Sequence, residues 1–211
     1  MSAVPPGGTT PPNPPGKKTG GFVREARASD APGLARIQIE SWRSSLAGLV
    51  PEEVLSELGS AEASERFTER WRDAIANPPT SKHKVHVAVD PDDPGSTGGD
   101  PGTGTAGLPP VGFASAGPAT DEDRWPGTDA ELYELHVLPT AADAGHGARL
   151  LHAVADTLAE DGFNTACTWA LSDDSPRLEF LQSAGWAPDG AHSNLDMGVK
   201  VHVVRLHTRL S

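Results

Sequence analysis

Val137-Leu-Pro-Thr-Ala-Ala-Asp-Ala-Gly-His-Gly-Ala-Arg-Leu-Leu151 is the stretch whose reading decides the fold. Just upstream, Leu132-Tyr-Glu-Leu-His-Val137 has strand composition, and Pro139 ends the pairing because it offers no N–H. Downstream, Leu150, Leu151, Val154 and Leu158 recur at helical spacing. A strand, a loop of small residues and a helix opening on Gly145-His146-Gly147 aim free backbone N–H groups at one point beyond the sheet. The positive end of the helix dipole points the same way, so the turn suits a phosphate or diphosphate. Glycines at 145 and 147 let a ligand approach the main chain without meeting a Cβ. A dinucleotide fingerprint would need a third glycine where Leu150 stands, and the Gly-Lys-Ser/Thr of a phosphate-binding Walker loop is absent.

Moving outward, Phe22-Val-Arg-Glu-Ala26 predicts a short strand. Asp30 stands at an N-cap position, with Pro32 in the first turn of a helix. Ala35, Ile39, Trp42 and Leu46 form its apolar stripe, and Gly48 ends it. A second helix runs from Pro51 through Leu58. Phe67, Trp71 and Ile75 mark a third, closed by Asn77-Pro78-Pro79. Lys84–Val89 and Val111–Ser115 alternate as strands. Beyond the motif helix come a strand at Asn164–Leu171, a helix at Arg177–Ala184 ended by Gly185, and strands at Ala187–Met197 and Lys200–Thr208. The first of these last two is interrupted at Asp189-Gly190. The order predicts an α/β (α+β) domain with a mixed sheet and helices on its faces.

Composition sets the boundaries. Residues 1–20 carry six prolines in the first fifteen positions and almost nothing to bury, so they read as a disordered tail. Residues 90–110 hold five prolines and six glycines, which reads as a flexible insertion in a domain spanning 21–211. A net charge of −12 argues against nucleic acid or an anionic membrane as partner. Cys167 is the lone cysteine and reads as a buried core thiol of a protein in a reducing compartment. No apolar run approaches the roughly 20 residues that span a bilayer, and no signal-peptide core is present, so a cytoplasmic protein is expected. His83 and His86, like His202 and His207, are spaced to opposite faces of strands without cysteine or carboxylate clusters, so no metal site is expected.

The opening stretch resembles motif A of the GNAT-type N-acetyltransferases, Val-x-Pro-x-x-Arg/Gln-Gly-x-Gly-x-Gly/Ala-x-x-Leu. Val137, Pro139, Gly145, Gly147 and Leu150 match it, while Ala142 and Asp143 replace the Arg/Gln-Gly pair. Asp174-Ser-Pro-Arg-Leu-Glu-Phe-Leu-Gln-Ser-Ala-Gly-Trp186 resembles motif B, Asn-x-Arg-Ala-x-x-Phe-Tyr-Glu-x-x-Gly-Phe, through Phe180, Gly185 and Trp186. Ser41–Leu55 resembles the first helix pair of bacterial members, whose connection lines the acceptor pocket. The resemblance covers roughly residues 22–209 and implies the GNAT fold, a mixed and mostly antiparallel sheet flanked by helices on both faces.

The resemblance further implies acetyl-CoA, or another acyl-CoA, as co-substrate and transfer to a primary amine of a small molecule in a ternary complex. The pantetheine would lie between the strands ending at Val137 and Leu171, pairing with main chain at Leu135 and Val137. The diphosphate would sit on the N–H groups of Gly145, His146, Gly147 and Ala148, with Asp174 of motif B joining the donor site. Asp143 brings a carboxylate to this loop, which Arg149 could offset. Set ungapped against the motif, Glu131 falls at a catalytic glutamate position, with Glu134 as second candidate. Strand alternation puts the two on opposite faces unless a bulge intervenes. Trp42, Arg43 and Trp169 would border the acceptor. The motif B tyrosine is Leu181, and the chain's only tyrosine is Tyr133. Two alternatives come from other classes: a GNAT-fold module that binds acyl-CoA without transfer, and an interaction protein that no longer binds it. A homodimer would accord with the family.

Overall fold

Hydrophobic periodicity and punctuation by Gly and Pro account for the element order in the computed structural model, which describes residues 21–92 and 107–210. The 1–20 tail and residues 93–106 of the insertion lie outside the described residues. Strand β1 (Phe22–Glu25) leads through a 3-10 turn to helices α1 (Ala31–Ser45), α2 (Glu52–Leu58) and α3 (Ala61–Ala76). Strands β2 (Lys84–Val89), β3 (Pro110–Pro118) and β4 (Asp129–Val137) follow, then α4 (His146–Glu160), β5 (Thr165–Leu171), α5 (Ser175–Ser183), β6 (Ala187–Asp196) and β7 (Lys200–Arg209). Asp30 is the residue before α1, but its carboxylate caps nothing there. It accepts from Arg27 N at 2.7 Å and pairs with Arg24, tying the end of β1 to the start of α1.

Seven strands form one sheet in the order β1-β2-β3-β4-β5-β7-β6. Every pairing is antiparallel except β4 with β5. In β4, Glu131 pairs with Gly117, Leu132 with Ala116 and Glu134 with Ser115, so Tyr133 is the extra residue of a bulge. Side chains opposite Ser115 and Gly117 share a face, and the bulge therefore brings Glu131 and Glu134 to the same side of the sheet. A second irregularity, between Pro188 and His192 of β6, falls where Asp189-Gly190 interrupts the strand pattern.

Alternation along β3 assigns the layers. Phe113 faces α1 and α3, meeting the Trp71 ring at 4.8 Å between centroids and 69°. Gly112 faces α4, where an added Cβ would come within 2.9 Å of His136 O and 3.2 Å of Leu150 Cδ1. The bare backbone there is what lets α4 lie close to the sheet. Leu34, Ile37, Phe113, Leu132, Leu150, Leu158, Leu181 and Leu206 are wholly or almost wholly buried between these layers. Phe113 sits at the centre of the α1–α3 side. Phe113→Ala is expected to cost about 3–5 kcal/mol, read as a lower urea midpoint at unchanged slope.

Candidate functional site

β4 and β5 pair only at Asp129–Thr165, Ala130–Ala166 and Glu131–Cys167. Beyond these residues the two parallel strands part into a fork. Leu138 N donates to Val111 O at 2.9 Å, which sets the hydrogen-bonded pairs of the β3–β4 ladder at His136 and turns the N–H and C=O of Leu135 and Val137 toward the fork. Two carbonyls on this edge are satisfied by side chains. Thr168 Oγ1 donates to Leu132 O at 2.9 Å, and Arg177 Nη1 donates to Leu135 O at 2.7 Å.

At the mouth of the fork, on the α1 side, a chain of hydrogen bonds runs through buried polar groups. Trp71 Nε1 donates to Gln38 Oε1 and Gln38 Nε2 donates to Glu134 Oε1, both at 2.8 Å. His136 Nε2 meets the other Glu134 oxygen at 2.5 Å, and its Nδ1 meets Ser41 Oγ at 2.9 Å. Gln38 is completely buried and His136 is 8% exposed, whereas the Glu134 side chain keeps 17% exposure. The carboxylate is thus held by Gln38 and His136 from behind while reaching solvent in front. Trp42 closes over this group, edge-on to Phe67 at 5.6 Å and to His136 at 6.5 Å. Arg43 is exposed and packs instead against the α2–α3 junction, within 3.2 Å of where a Gly59 Cβ would stand.

Glu131 stands where the strands are still paired. It is 8% exposed and accepts from Thr120 N at 3.0 Å and Thr120 Oγ1 at 2.6 Å, which ties the β3–β4 loop down. Tyr133 donates to Pro118 O at 2.6 Å, and burial, then the Glu131 charge, holds its hydroxyl above the usual tyrosine range. Cys167 is buried, and burial followed by the Glu131 carboxylate pushes its thiol up to about 12. Trp169 donates to Asp121 Oδ2 at 3.1 Å, and the Arg205 guanidinium lies 5.6 Å from the centre of its ring. Arg205 in turn binds Asp121, Asp123 and Asp189, while Arg124 also pairs with Asp189. The β3–β4 loop is therefore locked to β6 and β7 by an ion network.

At the other end of the fork, Gly145 takes φ +76°, a left-handed turn that favours glycine, and α4 begins at His146. The first helical bond is Arg149 N to Gly145 O at 3.2 Å. The amides of His146, Gly147 and Ala148 precede that ladder and point out of the helix end. The His146 ring is completely buried, with Nε2 3.1 Å from Asp90 and Nδ1 3.3 Å from Arg149, so its backbone rather than its imidazole faces the loop. Asp143 is exposed. Asp174 caps α5, accepting from Arg177 N at 3.2 Å and from Ser45 Oγ at 3.4 Å. Among the described residues no group of three or more His, Cys, Asp or Glu side chains could hold a metal ion, and no helix is long and apolar enough to cross a membrane.

Leu181, at the motif B tyrosine position, is completely buried and offers nothing to the fork. Gln38, Ser41, His136 and Arg177 are the polar groups that the sequence reading passed over. His136 lies two residues from Glu134 on one strand and so shares its face, a signal that strand alternation carries. Arg177 stands one place after the arginine of the motif B pattern, a displacement that only the fork geometry makes meaningful.

The chain resembles known proteins in both sequence and fold. The sequence profile of the Acetyltransferase (GNAT) family matches residues 58–186, more than half of the 211 residues, and the chain belongs to that family. It is 28% identical over 186 residues to an uncharacterised N-acetyltransferase, YuaI, of Bacillus subtilis (strain 168), covering 87% of this chain and 90% of the relative. The PaiA N-acetyltransferase of Thermoplasma acidophilum, solved in complex with coenzyme A, shares the fold at a TM-score of 0.61 and 16% identity, over 90% of this chain and 99% of that one. A GCN5-related N-acetyltransferase from Kribbella flavida superposes with a TM-score of 0.61 at 19% identity, over 90% and 98% of the two chains.

Two outcomes follow from the electrostatics. Cys167 should resist a thiol reagent at pH 8 in the native protein and react fully in denaturant. Burial alone would raise the Asp189 pKa, but the Ala191 N–H and Arg205 together hold it below the ordinary carboxylate range. A depressed pKa contributes stability above the unfolded value that is lost as pH falls through the folded one. The melting temperature should therefore be flat down to about pH 5 and drop below about pH 4, with a shallower acid limb in Asp189→Asn.

Proposed function

We propose that this protein is an acetyl-CoA-dependent N-acetyltransferase that acts on a primary amine of a small molecule by direct transfer. The observation that carries the reading is the fork itself. Main-chain groups at Leu135 and Val137 face the gap between β4 and β5, and the gap leads to the free amides of His146, Gly147 and Ala148. An extended pantetheine arm suits the first, and a diphosphate suits the second. An anion at such a helix end gains about 0.3–1 kcal/mol from the dipole in addition to its hydrogen bonds. Family membership and the coenzyme A complex of the Thermoplasma relative support the same donor.

The acceptor amine must be neutral to attack, so a group beside it has to take a proton. Of the two carboxylates that the bulge places on one face, Glu134 is our choice for the base. Glu131 is 8% exposed, has Oε2 committed to both Thr120 donors and lies where the strands are closed, whereas the Glu134 side chain, 17% exposed, stands at the mouth with Oε2 on His136. His136 and Ser41 extend a hydrogen-bonded path along which the accepted proton can leave. A fork-facing main-chain N–H, at Leu135 or Val137, can polarise the thioester carbonyl. Trp42 is positioned to border the acceptor through its contact with His136. The roles for Arg43, Trp169 and Asp174 are weaker, because each spends its polar group on a structural partner or faces elsewhere. The donor-site roles of Leu135, Val137, Gly145, His146, Gly147 and Ala148 rest on their main chain.

The test is amine-dependent release of coenzyme A thiol over a panel of primary amines. With an accepted amine, Glu134→Gln should lower kcat about 10²–10⁴-fold with little change in KM for acetyl-CoA. Glu131→Gln should keep most of the activity and lose stability instead. The reverse pattern would transfer the base role to Glu131. Saturable acetyl-CoA binding without turnover on any amine would favour a donor-binding module over an enzyme.

A further inference from the structure

Arg177 is an unusual occupant of the fork, and its consequence rests on the acetyltransferase reading above. The side chain rises from the first turn of α5, where Asp174 Oδ1 holds its backbone N–H, and reaches across to Leu135 O at 2.7 Å. Burial pushes the guanidinium pKa down, and the Asp174 and Glu134 carboxylates act against that. An arginine stays protonated even so. Leu135 O engages one of its five N–H donors, and among the described residues no other side-chain hydrogen-bond partner of Arg177 is found. A fixed cation with donors to spare therefore lies on the very strand edge along which the acyl donor would run, close to the carboxylate chosen as base. No tyrosine takes the position, since the motif B site is Leu181, sealed in the core, and Tyr133 is committed to Pro118 O.

We propose that Arg177 is a catalytic residue of the transfer, its guanidinium stabilising the coenzyme A thiolate as the thioester breaks. In that step the amine nitrogen forms its bond to the carbonyl carbon and the C–S bond breaks with its electron pair passing to sulfur. The amine's proton goes to Glu134 and on through His136 and Ser41. The thiolate remains paired with Arg177 until it takes a proton from water, giving the amide and the free coenzyme A thiol. The contribution is made only where charge develops on sulfur, so it acts on kcat more than on binding of the thioester.

The test uses the intact protein and its Arg177→Met and Arg177→Lys variants, with two readouts. In turnover, Arg177→Met should lower kcat about 10²-fold at essentially unchanged KM for acetyl-CoA, with Arg177→Lys in between. At equilibrium, wild type should bind coenzyme A increasingly more tightly than desulfo-coenzyme A as pH rises. The thiolate's ultraviolet absorbance should appear in that complex, and both effects should vanish in Arg177→Met. Binding of desulfo-coenzyme A by each variant reports that it is folded. Equal affinity of wild type for the two ligands at every pH would overturn the proposal. So would an Arg177→Met variant that binds acetyl-CoA more tightly and turns over faster, since the guanidinium would then be an obstacle in the channel. Wild type that binds neither ligand would instead sink the acetyltransferase reading beneath it.

Discussion

Backbone hydrogen bonding at the point where β4 leaves β5 governs the rest of this structure. Two parallel strands that part must leave main-chain groups without a ladder partner, and such groups are rarely left buried and unmatched. Here Thr168 and Arg177 take the carbonyls of Leu132 and Leu135. In the proposed function the remaining fork-facing groups would pair with an extended ligand that carries amides of its own. The bulge at Tyr133 belongs to the same design. By adding one residue opposite Ser115, it turns Glu134 onto the α1 face just past the closed part of the fork. Without it, Glu131 and Glu134 would lie on opposite sides, and the Gln38–Glu134–His136–Ser41 chain could not form.

Around that centre the chain divides its charges by task. Arg205 and Arg124 neutralise Asp121, Asp123 and Asp189 and so fasten the β3–β4 loop to the β6–β7 hairpin. Arg24 and Asp30 fasten β1 to α1. Arg177 stands apart from these, because it answers a main-chain carbonyl in a gap and has two carboxylates nearby without a direct ion pair to either among the described residues. An ion pair that joins two elements is accounted for by packing. A half-buried cation bonded to a strand edge where two strands part invites a role in chemistry.

Much of the fold was legible because its signals are local. The apolar stripe of α1, the proline after β4, Gly145 before α4 and Gly185 after α5 each act within a few residues, and the observed bounds depart from the expected ones by only a few positions. β4 begins at Asp129, earlier than its composition suggests, because Ala130 and Glu131 are held by partners on both sides. The site was less legible. The helix N-terminus could be read from Gly145-His146-Gly147, but whether the His146 ring faces a ligand depends on Asp90, which is distant in sequence. That Glu131 and Glu134 share a face rests on a bulge that no residue pattern announces. Arg177 carries no local signal, because its bond to Leu135 O exists only where two strands diverge.

The central claim is that an acyl-CoA lies in the fork with its diphosphate on the α4 amides. Isothermal titration with acetyl-CoA, on wild type and on Gly147→Glu, tests it most directly. A Cβ at Gly147 would meet nothing closer than Phe180 Cζ at 3.4 Å, so a side chain can start there, and glutamate brings a negative charge to the helix end. Saturable binding by wild type that the variant loses is the expected result. Binding that survives the substitution would move the donor elsewhere, and no binding by wild type at millimolar acetyl-CoA would contradict the account outright.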